Sequence, residues 1–280
     1  FDIVSVPNKG YLLKNSGNNF SAAIIKSKLN KDVDVECVKT VGSTNNVLKS
    51  EAVSTSLKRE KVLIADSQTA GKGGLGKSFW SPEATGMYMS ILLYPKFKAT
   101  EAYLITAAAA VAVCRAIEKV CPDCNPEIKW VNDVFVNSKK VCGILTEGAT
   151  DFESGGLEYA VVGIGVNLFT PEKKFPTELK NIAGSVFEKV PSPETRNEFA
   201  AALINEFFAV YENGVGFMSE YKKRSLLTGK RVTSALGGGT VEEITDRAEL
   251  VLRLDNGEIR KISAGEISVK EDKNNEKENI

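Results

Sequence analysis

The sequence predicts an α+β fold, a mixed and largely antiparallel sheet with helices followed by a small β-module. Three observations carry this. Strand signals are adjacent and joined by short turns, as in "IKWVNDVFVNSKKVCGILTEG" at 128–148, with no regular βαβ series. One Ala-rich apolar segment, "YLITAAAAVAVCRAI" at 103–117, has the length and pattern of a buried helix. After Gly229 the chain changes to short β runs punctuated by Gly237–Gly239 and by Asp255-Asn256-Gly257.

In chain order, "FDIVSVPNKGYLL" reads as two short extended runs around a Pro-Asn-Lys-Gly turn, and residues 14–34 read as a polar connector with a weak helical period. A compact unit is expected to begin near Val35. "GSTNN" at 42–46 is an N-cap signal for a helix starting near Thr44 or Asn45. "KVLIAD" reads as a strand, then comes a Gly-rich loop, then the strand "GMYMSILLYP". Beyond the Ala-rich helix, residues 128–148 form a hairpin turning at Asn137-Ser138. "LEYAVVGIGVNL" is a strand and roughly 195–223 a helix. The charged tail "KEDKNNEKENI" lacks apolar residues and should be disordered. The expected division is therefore 1–35 as connector, 36–225 as a ligand-binding catalytic domain, 228–270 as the β-module and 271–280 as tail.

Composition narrows the chemistry. The 280 residues are 42% hydrophobic and 26% charged, an ordinary globular balance. Lys+Arg 36 equals Asp+Glu 36, so no global field attracts nucleic acid or an acidic membrane. The longest apolar stretch is too short for a bilayer and is interrupted by Thr106 and Arg115. Five scattered cysteines fit a reducing cytoplasm better than a disulfide framework. There are no histidines. Ser-His-Asp and Cys-His catalysis and imidazole-bound zinc are thereby excluded, leaving Lys, carboxylates, amides and backbone.

The loop "SQTAGKGGLGKSFWSP" at 67–82 matches the P-loop spelling G-x-x-x-x-G-K-[ST] from Gly71 to Ser78. A P-loop needs a helix immediately behind it, whose N-terminus meets the phosphate. Here Pro82, Gly86 and a β-rich run follow, so the Walker reading fails. The remaining readings are a glycine-rich surface turn and a flexible cationic loop that closes over an anion; four glycines with Lys72 and Lys77 in seven residues favour the second.

Long charged residues on hairpins are usually solvated. Lys129 and Lys140 differ because each leads directly into apolar residues, which places an ammonium at the edge of a core where it can meet a phosphate or carboxylate. "VVGIGVNL" ends a strand with two glycines and an amide, suited either to a tight bend or to close approach of a ligand. Cys121 and Cys124, in "CPDC", follow the end of a helix, where the dipole opposes a thiolate, and no second CxxC completes a zinc site. They read as structural or incidental.

Taken together, "GSTN", "QTAGKGGLGKSFWSP", "KWVNDVFVNSKKVCGILTE", "GIGVNL" and "GKRV…ISAGEIS" resemble biotin–protein ligases in order and spacing over about residues 36–270. The resemblance implies a catalytic domain like that of class II aminoacyl-tRNA synthetases plus an SH3-like C-terminal β-barrel. It also implies two steps: biotin and ATP give biotinyl-5′-AMP and pyrophosphate, then a lysine of a biotin-acceptor domain, such as a biotin carboxyl carrier protein, attacks the anhydride. By the same resemblance Ser43, Thr44, Asn45, Gln68, Gly71, Lys72, Gly73, Gly74, Lys140, Gly143 and Leu145 would bind biotin. Lys77, Phe79, Trp80, Lys129, Asn132, Gly163 and Asn167 would lie on the ATP side, with Phe79 or Trp80 covering adenine. Lys140 and Lys72 would act on developing charge, and Mg2+ would shield the triphosphate.

Two departures from the family pattern stand out. Val131 replaces the proline of Lys-Trp-Pro-Asn-Asp, and Gly74 stands where a second loop arginine is expected. The glycine should hold the adenylate less well, which would let activated biotin reach lysines of bystander proteins. The opening segment resembles the end of a winged-helix DNA-binding domain without the helices that read DNA, so no operator binding is expected. A homodimer is expected by analogy alone. The rival readings are a lipoate–protein ligase, disfavoured by the Gly-rich loop, and a non-catalytic biotin sensor.

Overall fold

The computed structural model describes residues 2–6, 10–14, 19–151, 153–171, 175–189, 192, 194–263 and 270–271. The expected turn at 7–9 and the charged tail from 272 lie outside them. β1 (Asp2–Val6) pairs antiparallel with β2 (Gly10–Lys14). A short helix, α1 (Ala22–Lys26), follows, capped by the Ser21 side chain. Ile25 on it is fully buried, with Phe20 and Leu29 packed on the same core. The segment read as a connector is therefore partly built into the interior, although Ile24, next to Ile25 on the same helix, stays exposed.

The main sheet has seven strands: β3 (Asp34–Val41), β4 (Lys61–Gln68), β5 (Gly86–Leu93), β6 (Glu127–Lys129), β7 (Asp133–Val136), β8 (Lys139–Thr150) and β9 (Leu157–Asn167). Their order is β3-β4-β5-β9-β8-β7-β6, with β3 parallel to β4 and the other pairs antiparallel. The mixed sheet is thus as the turn signals predict. The expected single hairpin is three strands, since β6 pairs with β7 before the chain turns at Asn137 (φ 50°) and Ser138 (φ 59°) into β8. That pair of positive φ values is the signature of a type I′ turn.

Helices cover both faces. α2 (Thr44–Ser54) lies on one, where Leu48 and Ala52 pack against Leu63, Leu92, Tyr159 and Val161. α3 (Tyr103–Val120) and α4 (Thr195–Glu212) form a layer on the other, over Val62, Ile64, Met87, Met89 and Ile91. With both faces covered, β5 is buried at every position, so it reads as an apolar run without alternation. Period-two geometry still sorts it: Tyr88, Ser90 and Leu92 share the α2 face. The stretch Ala99–Val120 is, by length and composition, able to cross a membrane, contrary to the expectation from its sequence, but it is mostly buried within the protein.

The expected single helix over 195–223 breaks after Glu212. Gly214 takes φ +66° in a 3-10 turn (Gly214–Phe217) before α5 (Met218–Lys223). The C-terminal module is a five-stranded sheet of β10 (Arg231–Ser234), β11 (Gly237–Ile244), β12 (Leu250–Leu254), β13 (Ile259–Ile262) and β14 (Lys270–Glu271), in the order β13-β12-β11-β10-β14. Trp130 Nε1 donates to Ala248 O at 2.8 Å, tying this module to the β6–β7 connection, whose Trp130–Val131 peptide is cis.

Cys121 and Cys124 are joined as a disulfide, whereas composition alone suggests free thiols throughout. Cys37, Cys114 and Cys142 are free thiols. Burial pushes Cys37 up to about 11, Cys114 up to about 12 and Cys142 well above its ordinary value.

One buried ion pair braces the site from behind. Arg196 on α4, fully buried, pairs with Asp66 on β4, donates to Gly86 O at 2.5 Å and lies 4.1 Å from the Phe20 ring. Asp66→Ala would leave a guanidinium uncompensated in the interior, and the expected loss of stability is about 3–5 kcal/mol. Urea unfolding of the variant measures it.

Candidate functional site

The site lies on the α2 face, where α2 begins and where β8 and β9 carry glycines. Ser43 is the N-cap of α2, yet its side chain makes no capping bond. Gln68, at the end of β4, takes that task instead: its Oε1 accepts from Thr44 N at 2.9 Å and from Thr44 Oγ1 at 3.1 Å. The Ser43 hydroxyl is thereby left facing the cavity. Gln68 Nε2 donates to Ser81 Oγ at 3.2 Å, and Ser81 in turn donates to Phe79 O at 2.9 Å. This end of the cavity is polar, buried and internally bonded.

The floor is made by Gly143 on β8 and Gly163 and Gly165 on β9. A Cβ on Gly165 would come within 2.5 Å of the Phe79 ring, and one on Gly163 within 2.3 Å of Asn45 Oδ1. Only glycine lets these side chains lie flat on the strands. The Gly-rich loop closes the roof. Gly73 N donates to Lys77 O at 2.7 Å and Phe79 N to Gly71 O at 2.9 Å, around a 3-10 turn over Gly74–Gly76. No helix follows it; the chain runs into β5, as the rejection of a P-loop requires.

Lys140, the second residue of β8, lines both this cavity and a second one of about 260 Å³ on the far side of the loop. Its Nζ lies 2.6 Å from Asp133 Oδ1. The second cavity is walled by Trp80, Phe175, Leu179 and Ile182, with Trp80 and Phe175 packed edge to face at 5.6 Å, and by Lys77 and Asn167. It offers an aromatic slot beside cations, the chemistry of a nucleobase and its phosphates.

Of the residues singled out from the sequence, Ser43, Thr44, Asn45, Gln68, Lys72, Gly73, Gly74, Lys140, Gly143 and Leu145 line the first cavity. Gly163 and Asn132, expected on the nucleotide side, line the first cavity too. Lys77, Trp80 and Asn167 line the second, and Phe79 touches both. Gly71 and Lys129 line neither. Gly71 sits under the loop, where a Cβ would meet Phe79 O at 2.5 Å, and Lys129 Nζ lies 5.8 Å from the Phe135 ring. Sequence reading missed Tyr88, Ser90, Glu147 and the Phe175–Ile182 wall. Ser90 had a signal, a lone hydroxyl inside the apolar run "MYMSILL". The wall had none, since its approach depends on Lys140 N bonding Ile182 O at 2.8 Å and Gly184 N bonding Lys140 O at 2.9 Å.

This architecture joins a mixed sheet, whose Gly-rich loop roofs a polar cavity, to a small C-terminal β-module. Residues 37–167 match the biotin/lipoate A/B protein ligase family and residues 228–270 match the biotin protein ligase C-terminal domain. The chain belongs to the biotin protein ligase branch of that family. It is 32% identical over 188 residues to the bifunctional ligase/repressor BirA of Bacillus subtilis, a match covering 66% of this chain and 57% of the relative. It is 29% identical over 245 residues to the biotin–[acetyl-CoA-carboxylase] ligase of Mycobacterium tuberculosis, covering 83% and 88%. Among solved structures, the biotin protein ligase of Aquifex aeolicus in complex with biotin and ATP aligns with TM-score 0.68 at 26% identity, over 85% of this chain and 99% of that one. The chain thus spans a little over half the length of the Bacillus relative that it matches.

Gly163→Ala tests the floor. The added methyl must displace Asn45, and a ligand of the first cavity is expected to bind at least about tenfold more weakly, measured by calorimetric titration.

Proposed function

We propose that the chain is an ATP-dependent biotin–protein ligase that forms biotinyl-5′-AMP and then passes biotin to a lysine of an acceptor domain. The observation that carries this reading is Lys140, whose ammonium stands at the junction between a polar, amide-lined cavity and an aromatic, cationic one. Biotin would place its ring among Ser43, Thr44 and Gln68 and its carboxylate at Lys140; ATP would place adenine beside Trp80 and its α-phosphate at the same ammonium. Attack of the carboxylate oxygen on the α-phosphorus breaks the bond to the pyrophosphate oxygen, and charge builds where Lys140 is fixed. In the second step the acceptor amine attacks the anhydride carbonyl and AMP leaves. The protein supplies no nucleophile, consistent with a chain lacking histidine and with raised cysteine thiols.

Magnesium would come with the ATP. Among the described residues no group of three or more carboxylate or cysteine side chains could hold a metal, and Asp133, which lines the first cavity, is already paired with Lys140. Mg2+ would enter as part of the ATP substrate and shield its charge, asking few ligands of the protein itself.

The acceptor is the biotin-accepting domain of a carboxylase, and Gly74 widens the range of lysines reached by letting the adenylate leave. Biotin-dependent exchange of pyrophosphate into ATP tests the first step. Exchange with lipoate in place of biotin, or biotin binding without exchange, would overturn the reading.

A further inference from the structure

Beneath the first cavity, hydrogen bonds link Glu147 and Ser90, which do not line it, to Asn45 and Thr44, which do. Glu147 on β8 accepts from Asn45 Nδ2 at 2.8 Å and from Lys49 Nζ. Leu145 O accepts from the same Asn45 Nδ2 at 3.2 Å. Two acceptors on one side thus fix the Asn45 amide, so its Oδ1 must face Ser90. Ser90, fully buried, has one hydrogen and two acceptors within reach, Asn45 Oδ1 at 2.6 Å and Thr44 Oγ1 at 2.7 Å. Thr44 gives its own hydrogen to Gln68 Oε1, whose amide is fixed in turn by Ser81.

The two hydroxyl hydrogens, those of Ser90 and Thr44, face three protein acceptors, Asn45 Oδ1, Thr44 Oγ1 and Gln68 Oε1, so neither is left over for the cavity. The Thr44 oxygen therefore offers the cavity lone pairs and no proton. Burial alone would raise the Glu147 carboxyl, but hydrogen bonds from Lys49 and Asn45 hold it below the usual carboxylate range, so the far end of the chain remains an acceptor.

We propose that Ser90, in direct contact with Thr44, and Glu147, acting through Asn45 and Ser90, are positioning residues that make Thr44 an obligate acceptor and so select a ligand presenting a ring N–H at that point, as a cyclic urea does. A buried site wired to receive an N–H rejects an analogue bringing a lone pair instead, because two acceptors then face each other without a hydrogen. The inference rests on the proposed biotin chemistry and assigns its ring selectivity to residues outside the cavity wall.

The test is pyrophosphate exchange by the full chain with biotin and with its two carbamate analogues, in which one or the other ring N–H is replaced by oxygen. The intact chain is expected to disfavour one carbamate strongly. Ser90→Ala frees the Thr44 rotor from one of its two neighbours. It should raise KM for biotin about tenfold and narrow the urea-to-carbamate preference at least about fivefold, with KM for ATP and kcat within about twofold. Glu147→Leu should move the preference in the same direction, and it carries the test if Ser90→Ala fails to fold. Since both lie on one chain of bonds that reaches Thr44 through Ser90, the double variant should match the worse single variant instead of adding. An unchanged preference in a folded variant, or additive effects, overturns the inference while leaving the ligase reading intact. No biotin-dependent exchange by the intact chain overturns the ligase reading itself, and the inference with it.

Discussion

Gly74→Arg is expected to abolish most labelling of an unrelated protein such as albumin while preserving modification of a biotin-acceptor domain. Gly74 lines both cavities, and a Cβ built on it meets nothing within 4 Å. Its φ is not positive, unlike that of neighbouring Gly76 at +74°. A side chain can therefore enter without strain, beside Lys140 and where the α-phosphate of the adenylate would lie. A guanidinium there makes paired, charge-assisted bonds to phosphate oxygens. Such a bond contributes about 1.5–3 kcal/mol, roughly ten- to a hundredfold in adenylate retention. Quench-flow or filter retention of radiolabelled biotinyl-5′-AMP measures this directly. Gly74→Ala separates the causes: it stiffens the loop without adding charge, so its retention should stay close to that of glycine. Equal bystander labelling by the glycine and arginine forms would sink the idea.

The parts of the site that were legible in the sequence are those encoded by a few neighbouring residues. The Gly-rich loop is recognisable because glycines and lysines crowd into one turn, and the Asn137-Ser138 turn because both residues tolerate positive φ. The Ala-rich helix is legible because no other element can hold so many consecutive small apolar residues in an interior. What could not be read depends on sheet order. Ser90 and Glu147 meet α2, and Gly163, expected on the ATP side, lines the first cavity, only because β5, β9 and β8 lie side by side, and nothing local to any one strand announces its neighbour. The break at Gly214 hid behind a helical pattern on both sides. Gln68 capping Thr44 was obscured for a different reason: "GSTNN" already supplied a plausible cap in Ser43, and the side chain that does the capping comes from another strand.

Lys140 is expected to carry the largest share of the first step, and Lys140→Ala should lower the rate of pyrophosphate exchange by about 10²–10³. Its backbone is held on both sides, by Ile182 O at 2.8 Å and Gly184 N at 2.9 Å, so the side chain springs from a fixed point between the two cavities. The Asp133 carboxylate at 2.6 Å holds the ammonium in place and competes with substrate for it. When the biotin carboxylate and the α-phosphate approach each other, two anions converge and the ammonium offsets their repulsion most strongly as the transition state forms. Arginine should restore only part of the rate, because its planar fork does not reproduce a compact ammonium. Asp133→Asn gives the internal control. If Asp133 mainly orients Lys140, its loss should cost far less than loss of the lysine, and the Lys140→Ala/Asp133→Asn pair should resemble Lys140→Ala alone. Exchange within about tenfold of the intact chain in Lys140→Ala would move the electrostatic role to Lys72, which at present donates to Asn46 Oδ1 at 3.0 Å from the exposed side of the loop.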